Sequence, residues 1–120
     1  MTMLKIAVFC QGGITRSAAM ANELKTYGHD VLNAGLGYNS EETIHMVGDW
    51  ADRIVVMQKE LLPLVPRELR SKTVVADVGP DVWEKLRSSD PDLKQRVKVI
   101  AEQWAAQGWK MSDSFALRPK

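Results

Sequence analysis

A chain of 120 residues with 45% hydrophobic and 26% charged residues, a net charge of +1 and one cysteine carries enough apolar material for one core and cannot build an internal disulfide. Lysines and arginines are interspersed with acids instead of forming a stripe, which argues against nucleic acid as a partner, and no apolar stretch approaches the length of a membrane span. With no charged-then-apolar leader, the expectation is a single cytoplasmic domain over residues 1–120 that engages no membrane, with 108–120 as a frayed tail or a strap.

The first element carries the most chemistry. Ile6, Val8 and Phe9 form an apolar β-type run that ends at Cys10, and Ser17 to Leu24 reads as a helix. Between them, Gln11-Gly12-Gly13-Ile14-Thr15-Arg16 must turn sharply, which the two glycines permit. A loop that opens a helix directs backbone N–H groups and the positive end of the helix dipole at one spot. Cys10 belongs at that spot, where a thiolate is favoured over a thiol. Arg16 offers a planar fork for two phosphate oxygens, and the Ser17 hydroxyl is placed to hydrogen-bond the sulfur. A lone cysteine after a strand more often reads as a small buried apolar residue. Cysteine, two glycines, arginine and serine in this order instead point to an oxyanion site with Cys10 as nucleophile and Gln11, Gly12, Gly13, Ile14, Thr15 and Ser17 around the bound group.

The remaining elements alternate. Asp30–Gly35 reads as a second strand, and Ser40 is a good N-cap for the helix that follows. Arg53–Met57 is a third strand, Gln58–Leu64 a short helix ended by Pro66, and Thr73–Val78 a fourth strand stopped by Gly79-Pro80. Asp92–Gln107 places Leu93, Val97, Ile100, Ala101 and Trp104 at helical spacing. Strands alternating with helices predict a three-layer α/β/α sandwich on a four-stranded parallel sheet, with ligands beyond the C-terminal strand ends at the switch point. Cys10 and the segment from Asp77 to Trp83 then share one crevice. Tyr38 and Trp83 are candidate pocket walls, since a phenyl ring gains area and geometry between aromatics. His29 and His45 show no ligand-like clustering and read as surface or helix residues, so neither metal nor cofactor is expected.

These residues resemble the low-molecular-weight protein tyrosine phosphatase superfamily, whose signature is a cysteine, five residues, an arginine and a serine or threonine. Cys10 to Ser17 matches it, and the resemblance extends to Ala34-Gly35, to Ala51-Asp52 before Ile54–Met57, and to Asp77–Trp83. It implies hydrolysis of phosphate monoesters on phosphoproteins or small aryl phosphates, through a phosphocysteine on Cys10 stabilised by Arg16. The family's general acid transfers to Asp81, with Asp77 as second candidate. Three departures stand out: Pro80 precedes Asp81 instead of following it, Thr15 stands where many relatives have a second cysteine, and Gly13 where asparagine is common. Other readings of the same loop are a phosphocysteine carrier of the sugar phosphotransferase IIB type, an arsenate reductase relying on an external thiol, and a non-catalytic phosphate or phosphopeptide binder.

Overall fold

The computed structural model describes residues 3–12, 14–80, 82 and 87–119. Its first strand, β1 (Lys5–Cys10), is buried at every position after Lys5. The reason is topological: β1 pairs in parallel with β2 (Asp30–Gly35) on one edge and with β3 (Arg53–Val56) on the other. A strand covered on both faces and both edges needs a continuous apolar run, which Ile6 to Cys10 supplies. β3 pairs with β4 (Thr73–Asp77), and β4 with a two-residue β5 (Phe115–Ala116), giving the order β2-β1-β3-β4-β5.

The sheet is therefore parallel throughout, as expected, but has five strands instead of four. β5 is too short for a periodicity signal, and its pairing to β4 is fixed by neighbours distant in sequence. Leu117 donates its N–H to the Asp77 carbonyl, and Ser114 Oγ accepts from the Val75 N–H. The tail is thus a strap along the sheet edge.

Helix α1 (Arg16–Lys25) connects β1 to β2, and α2 (Glu41–Trp50) connects β2 back across β1 to β3. Since the crossover direction reverses between them, right-handed connections put these helices on opposite faces. Ser40 caps α2 as expected, its hydroxyl accepting from the Thr43 N–H at 3.2 Å. The segment after β3 forms a 3-10 helix over Lys59–Leu64, and a second 3-10 helix, not expected from the pattern, over Arg67–Lys72. Pro63 inside the first has no N–H to donate, which favours the short tighter turn over a propagating α-helix. Helix α3 (Pro91–Ala106) packs against α1 and buries Leu93, Val97, Ile100, Ala101 and Trp104, the stripe read from its spacing. Asp90 caps it through the Asp92 and Leu93 amides.

His29 is not a surface residue. It is buried beneath the ring of Trp109, 4.3 Å between centroids at 75°, and its Nδ1 accepts from the Leu4 N–H at 3.0 Å. Trp109 and Met111 reach the core by adopting left-handed φ values of 62° and 49°. Such a conformation costs roughly 1–2 kcal/mol per residue, whereas burying a large apolar side chain returns roughly 1.5–3 kcal/mol, so burial wins at both positions. Asp52, exposed just before β3, accepts from the Lys5 N–H at 2.9 Å and ties the start of β1 to that of β3.

Candidate active site

Strand order reverses between β1 and β3, so the loops leaving these two strands diverge and open a crevice at their C-terminal ends. Cys10 is the last residue of β1, and Arg16 is the first of α1. The loop between them is braced from β2: the Leu36 and Gly37 amides donate to the carbonyls of Cys10 and Gln11 at 2.8 and 2.9 Å. The approach is close: a Cβ on Gly37 would lie 3.1 Å from the Gln11 backbone carbonyl oxygen and 2.9 Å from the movable Gln11 side-chain nitrogen.

Cys10 Sγ lies 3.2 Å from Ser17 Oγ, with both residues fully buried. Asn33, reaching from β2, approaches the same hydroxyl at 3.5 Å. Arg16 is 1% exposed, so its charge is held out of water and leans on fixed acceptors. Its Nη1 donates to the Gln58 side-chain oxygen and to the Gly79 carbonyl, each at 2.8 Å. The three elements that flank the crevice, the ends of β1, β3 and β4, thus meet on this side chain.

Tyr38 is 80% exposed, yet its ring stands over the loop: a Cβ on Gly12 would sit 3.4 Å from the ring edge. Ile14 is 75% exposed, and Thr15 is buried at the N-cap of α1. The structure therefore brings together Cys10, Gln11, Gly12, Arg16, Ser17 and Tyr38. Gly13, Asp81 and Trp83 lie outside the described residues.

Asp77, the second acid candidate, is buried at the end of β4 and occupied by donors. One oxygen accepts from the Gly79 N–H at 2.9 Å; the other accepts from the Lys59 N–H at 3.3 Å and from Arg118 Nη2 at 2.9 Å. Arg118 also pairs with Glu60. Hydrogen bonds to Asp77 and then Glu60 hold the Arg118 guanidinium above its ordinary value. For Glu60, desolvation opposes ionisation, but the Arg118 hydrogen bond and further hydrogen bonds outweigh it and keep the carboxyl below the usual range.

Gln58 and Arg118 were not singled out in the sequence. Gln58 stands two residues after β3, at the switch point, which is a usable signal. Arg118 carries none, because only the β5 pairing brings it to Asp77. Among the described residues, no group of three or more His, Cys, Asp or Glu side chains converges to hold a metal, and no helix is long and apolar enough to cross a membrane.

This architecture is that of the low-molecular-weight tyrosine phosphatases. The tyrosine phosphatase Wzb from Escherichia coli, solved with phosphate, matches at 20% identity and a TM-score of 0.69 over 88% of this chain and 99% of that one. Vibrio vulnificus Wzb, solved with benzylphosphonate, matches at 20% identity and a TM-score of 0.71 over the same shares. The arginine phosphatase YwlE from Geobacillus stearothermophilus shares the fold at 16% identity and a TM-score of 0.63, over 87% of this chain and 94% of that one. No family model matches the chain, and no curated protein matches it by sequence.

Proposed function

We propose that this protein hydrolyses phosphate monoesters, with aryl phosphates such as phosphotyrosine as the substrate class, through a phosphocysteine intermediate. The observation that carries the reading is the pairing of Cys10 at the end of the central strand with a buried Arg16 at the N-terminus of the next helix. Cys10 Sγ attacks phosphorus in line with the departing oxygen. Arg16 and the amides of residues 11–16 stabilise the equatorial oxygens as charge spreads over them. The leaving aryl oxygen takes its proton from Asp81. Water then attacks the phosphocysteine, Asp81 accepts its proton, and inorganic phosphate leaves with the thiolate restored, its charge stabilised by the Ser17 hydroxyl. Tyr38 forms one wall for the aryl group. The matched structures are of tyrosine and arginine phosphatases, two of them with phosphate or benzylphosphonate bound, and this supports the reading.

Assigning the acid to Asp81 is supported by the commitments of Asp77, whose oxygens already accept from Gly79, Lys59 and Arg118. Leaving-group dependence tests the assignment. Wild-type protein is expected to hydrolyse p-nitrophenyl phosphate and Cys10→Ser to be inert while still binding phosphate. Asp81→Asn should lose at least tenfold more rate on phenyl phosphate than on p-nitrophenyl phosphate, because only the poorer leaving group needs the proton. Turnover by Cys10→Ser at the wild-type rate would overturn the nucleophile, and that leaving-group pattern in Asp77→Asn with a normal Asp81→Asn would move the acid to Asp77.

A further inference from the structure

We propose that Arg118, in the strap after β5, is a positioning residue for Arg16; the inference rests on the reading of Arg16 as the oxyanion-binding side chain. Arg16 Nη1 has two acceptors here, the Gln58 side chain and the Gly79 carbonyl, which lie on the separate segments that leave β3 and β4. At their root the segments are joined by the Val78 N–H, which donates to the Met57 carbonyl at 3.2 Å; one residue further on, at Gln58 and Gly79, they need a second brace. The Asp77 carboxylate supplies it, because it accepts from the Gly79 N–H with one oxygen and from the N–H of Lys59, the residue next to Gln58, with the other. One carboxylate therefore braces both segments on which the Arg16 acceptors stand.

Asp77 in turn is oriented by Arg118, whose Nη2 donates to Oδ2 at 2.9 Å, and Arg118 is steadied by Glu60. The strap also presses on the second acceptor directly. Gly79 has φ 88°, and a Cβ there would be 2.7 Å from the Pro119 ring. The strap is held from below as well, by the Leu117 N–H on the Asp77 carbonyl and by Arg96 Nη1 on the Leu117 carbonyl, the latter at 2.6 Å. A side chain 102 positions along the sequence from Arg16 thus determines where its fork points, through a carboxylate that touches no substrate.

The test reads Arg16 itself. In 15N-labelled protein the Arg16 Nε–Hε cross-peak is assigned by its loss in Arg16→Lys, and inorganic phosphate affinity is measured by calorimetry. Arg118→Ala is expected to shift or broaden that cross-peak, weaken phosphate binding about tenfold and lower kcat/KM for p-nitrophenyl phosphate by a similar factor. Arg118→Lys, which keeps a cation for Asp77, should recover at least a third of the lost affinity. Val97→Ala, a core truncation in α3, supplies matched destabilisation and should leave the cross-peak and the affinity unchanged. Arg118→Gln gives the same reading with a longer stem should the alanine variant fold poorly. A wild-type cross-peak and phosphate affinity within twofold of wild type in a folded Arg118→Ala or Arg118→Gln protein would overturn the proposal and reduce the strap to a stability element. Should the wild type bind phosphate without hydrolysing aryl phosphates, the hydrolase reading falls while the cross-peak still decides the role of Arg118.

Discussion

Replacing Ser17 with alanine isolates the hydrogen bond that the fold gives to Cys10, the proposed nucleophile. With the thiol, Cys10 donates to Ser17 Oγ across 3.2 Å; with the thiolate, the direction reverses and the hydroxyl must donate. Asn33 favours that reversal, because its amide approaches the hydroxyl oxygen and leaves the hydroxyl proton directed at sulfur. A hydrogen bond to a charged group is worth roughly 1.5–3 kcal/mol, and sulfur, being diffuse, places this one near the lower end, about 1.5–2 kcal/mol. Both residues are fully buried, so water does not replace the missing donor. In the proposed reaction the Cys10 thiolate is the leaving group when water attacks the phosphocysteine, so losing this donor should slow that step by up to roughly 10- to 30-fold, at about 1.4 kcal/mol per factor of ten. Stopped-flow release of p-nitrophenolate from p-nitrophenyl phosphate separates the steps: Ser17→Ala should show a burst followed by a slowed steady state. A kcat within 1.5-fold of wild type and no burst in a folded Ser17→Ala protein would refute the argument that this hydroxyl stabilises the anion.

Burial holds His29 below the ordinary imidazole value. The unfolded chain therefore binds the proton first as pH falls, so the stability tied to neutral His29 is complete above about pH 6.5 and is lost below it, at up to about 1.4 kcal/mol per pH unit until the folded value is reached. His29→Phe should be less stable at pH 7.5 yet show a flatter Tm between pH 7.5 and 5.5; an undiminished slope in that variant would count against the assignment. Trp104 is fully buried and its indole N–H donates to the Asp113 carbonyl at 2.9 Å. Trp104→Phe leaves both a void and an orphaned carbonyl, costing about 2–3 kcal/mol, or roughly 6–15 °C in Tm for a domain of this size. A drop of under 3 °C by calorimetry would show that the site repacks.

Much of this architecture could be read from local pattern. β1 is a continuous apolar run ending in Cys10, and α3 shows its buried stripe from Leu93 to Trp104 at three- and four-residue spacing. Ser40 announced α2 through its capping chemistry. The features that escaped are all non-local. β5 has two residues and no period of its own; it exists because the edge of β4 offers unsatisfied backbone groups. His29 reads as polar and solvent-facing until Trp109 folds over it from the far end of the chain. In the site, Cys10, Arg16 and Ser17 are legible because one loop carries them. The Gln58 and Gly79 acceptors, and Arg118 behind them, come from other strands' ends, and their proximity is a property of sheet order that no spacing within one segment encodes.

The position of β1 between β2 and β3 has a consequence for how the molecule comes apart. Strands paired on both edges exchange their amide protons only through near-global opening, whereas short edge segments open alone at small free-energy cost. The candidate site is drawn from both extremes: Cys10 ends the most enclosed strand, while Arg118 and Pro119 follow a strand of two residues at the rim. Mild denaturant or heat should lift the rim from an otherwise intact sheet. The proposed phosphate binding and hydrolysis would then fade ahead of the far-ultraviolet signal, in a population that still counts as folded by every measure of its core.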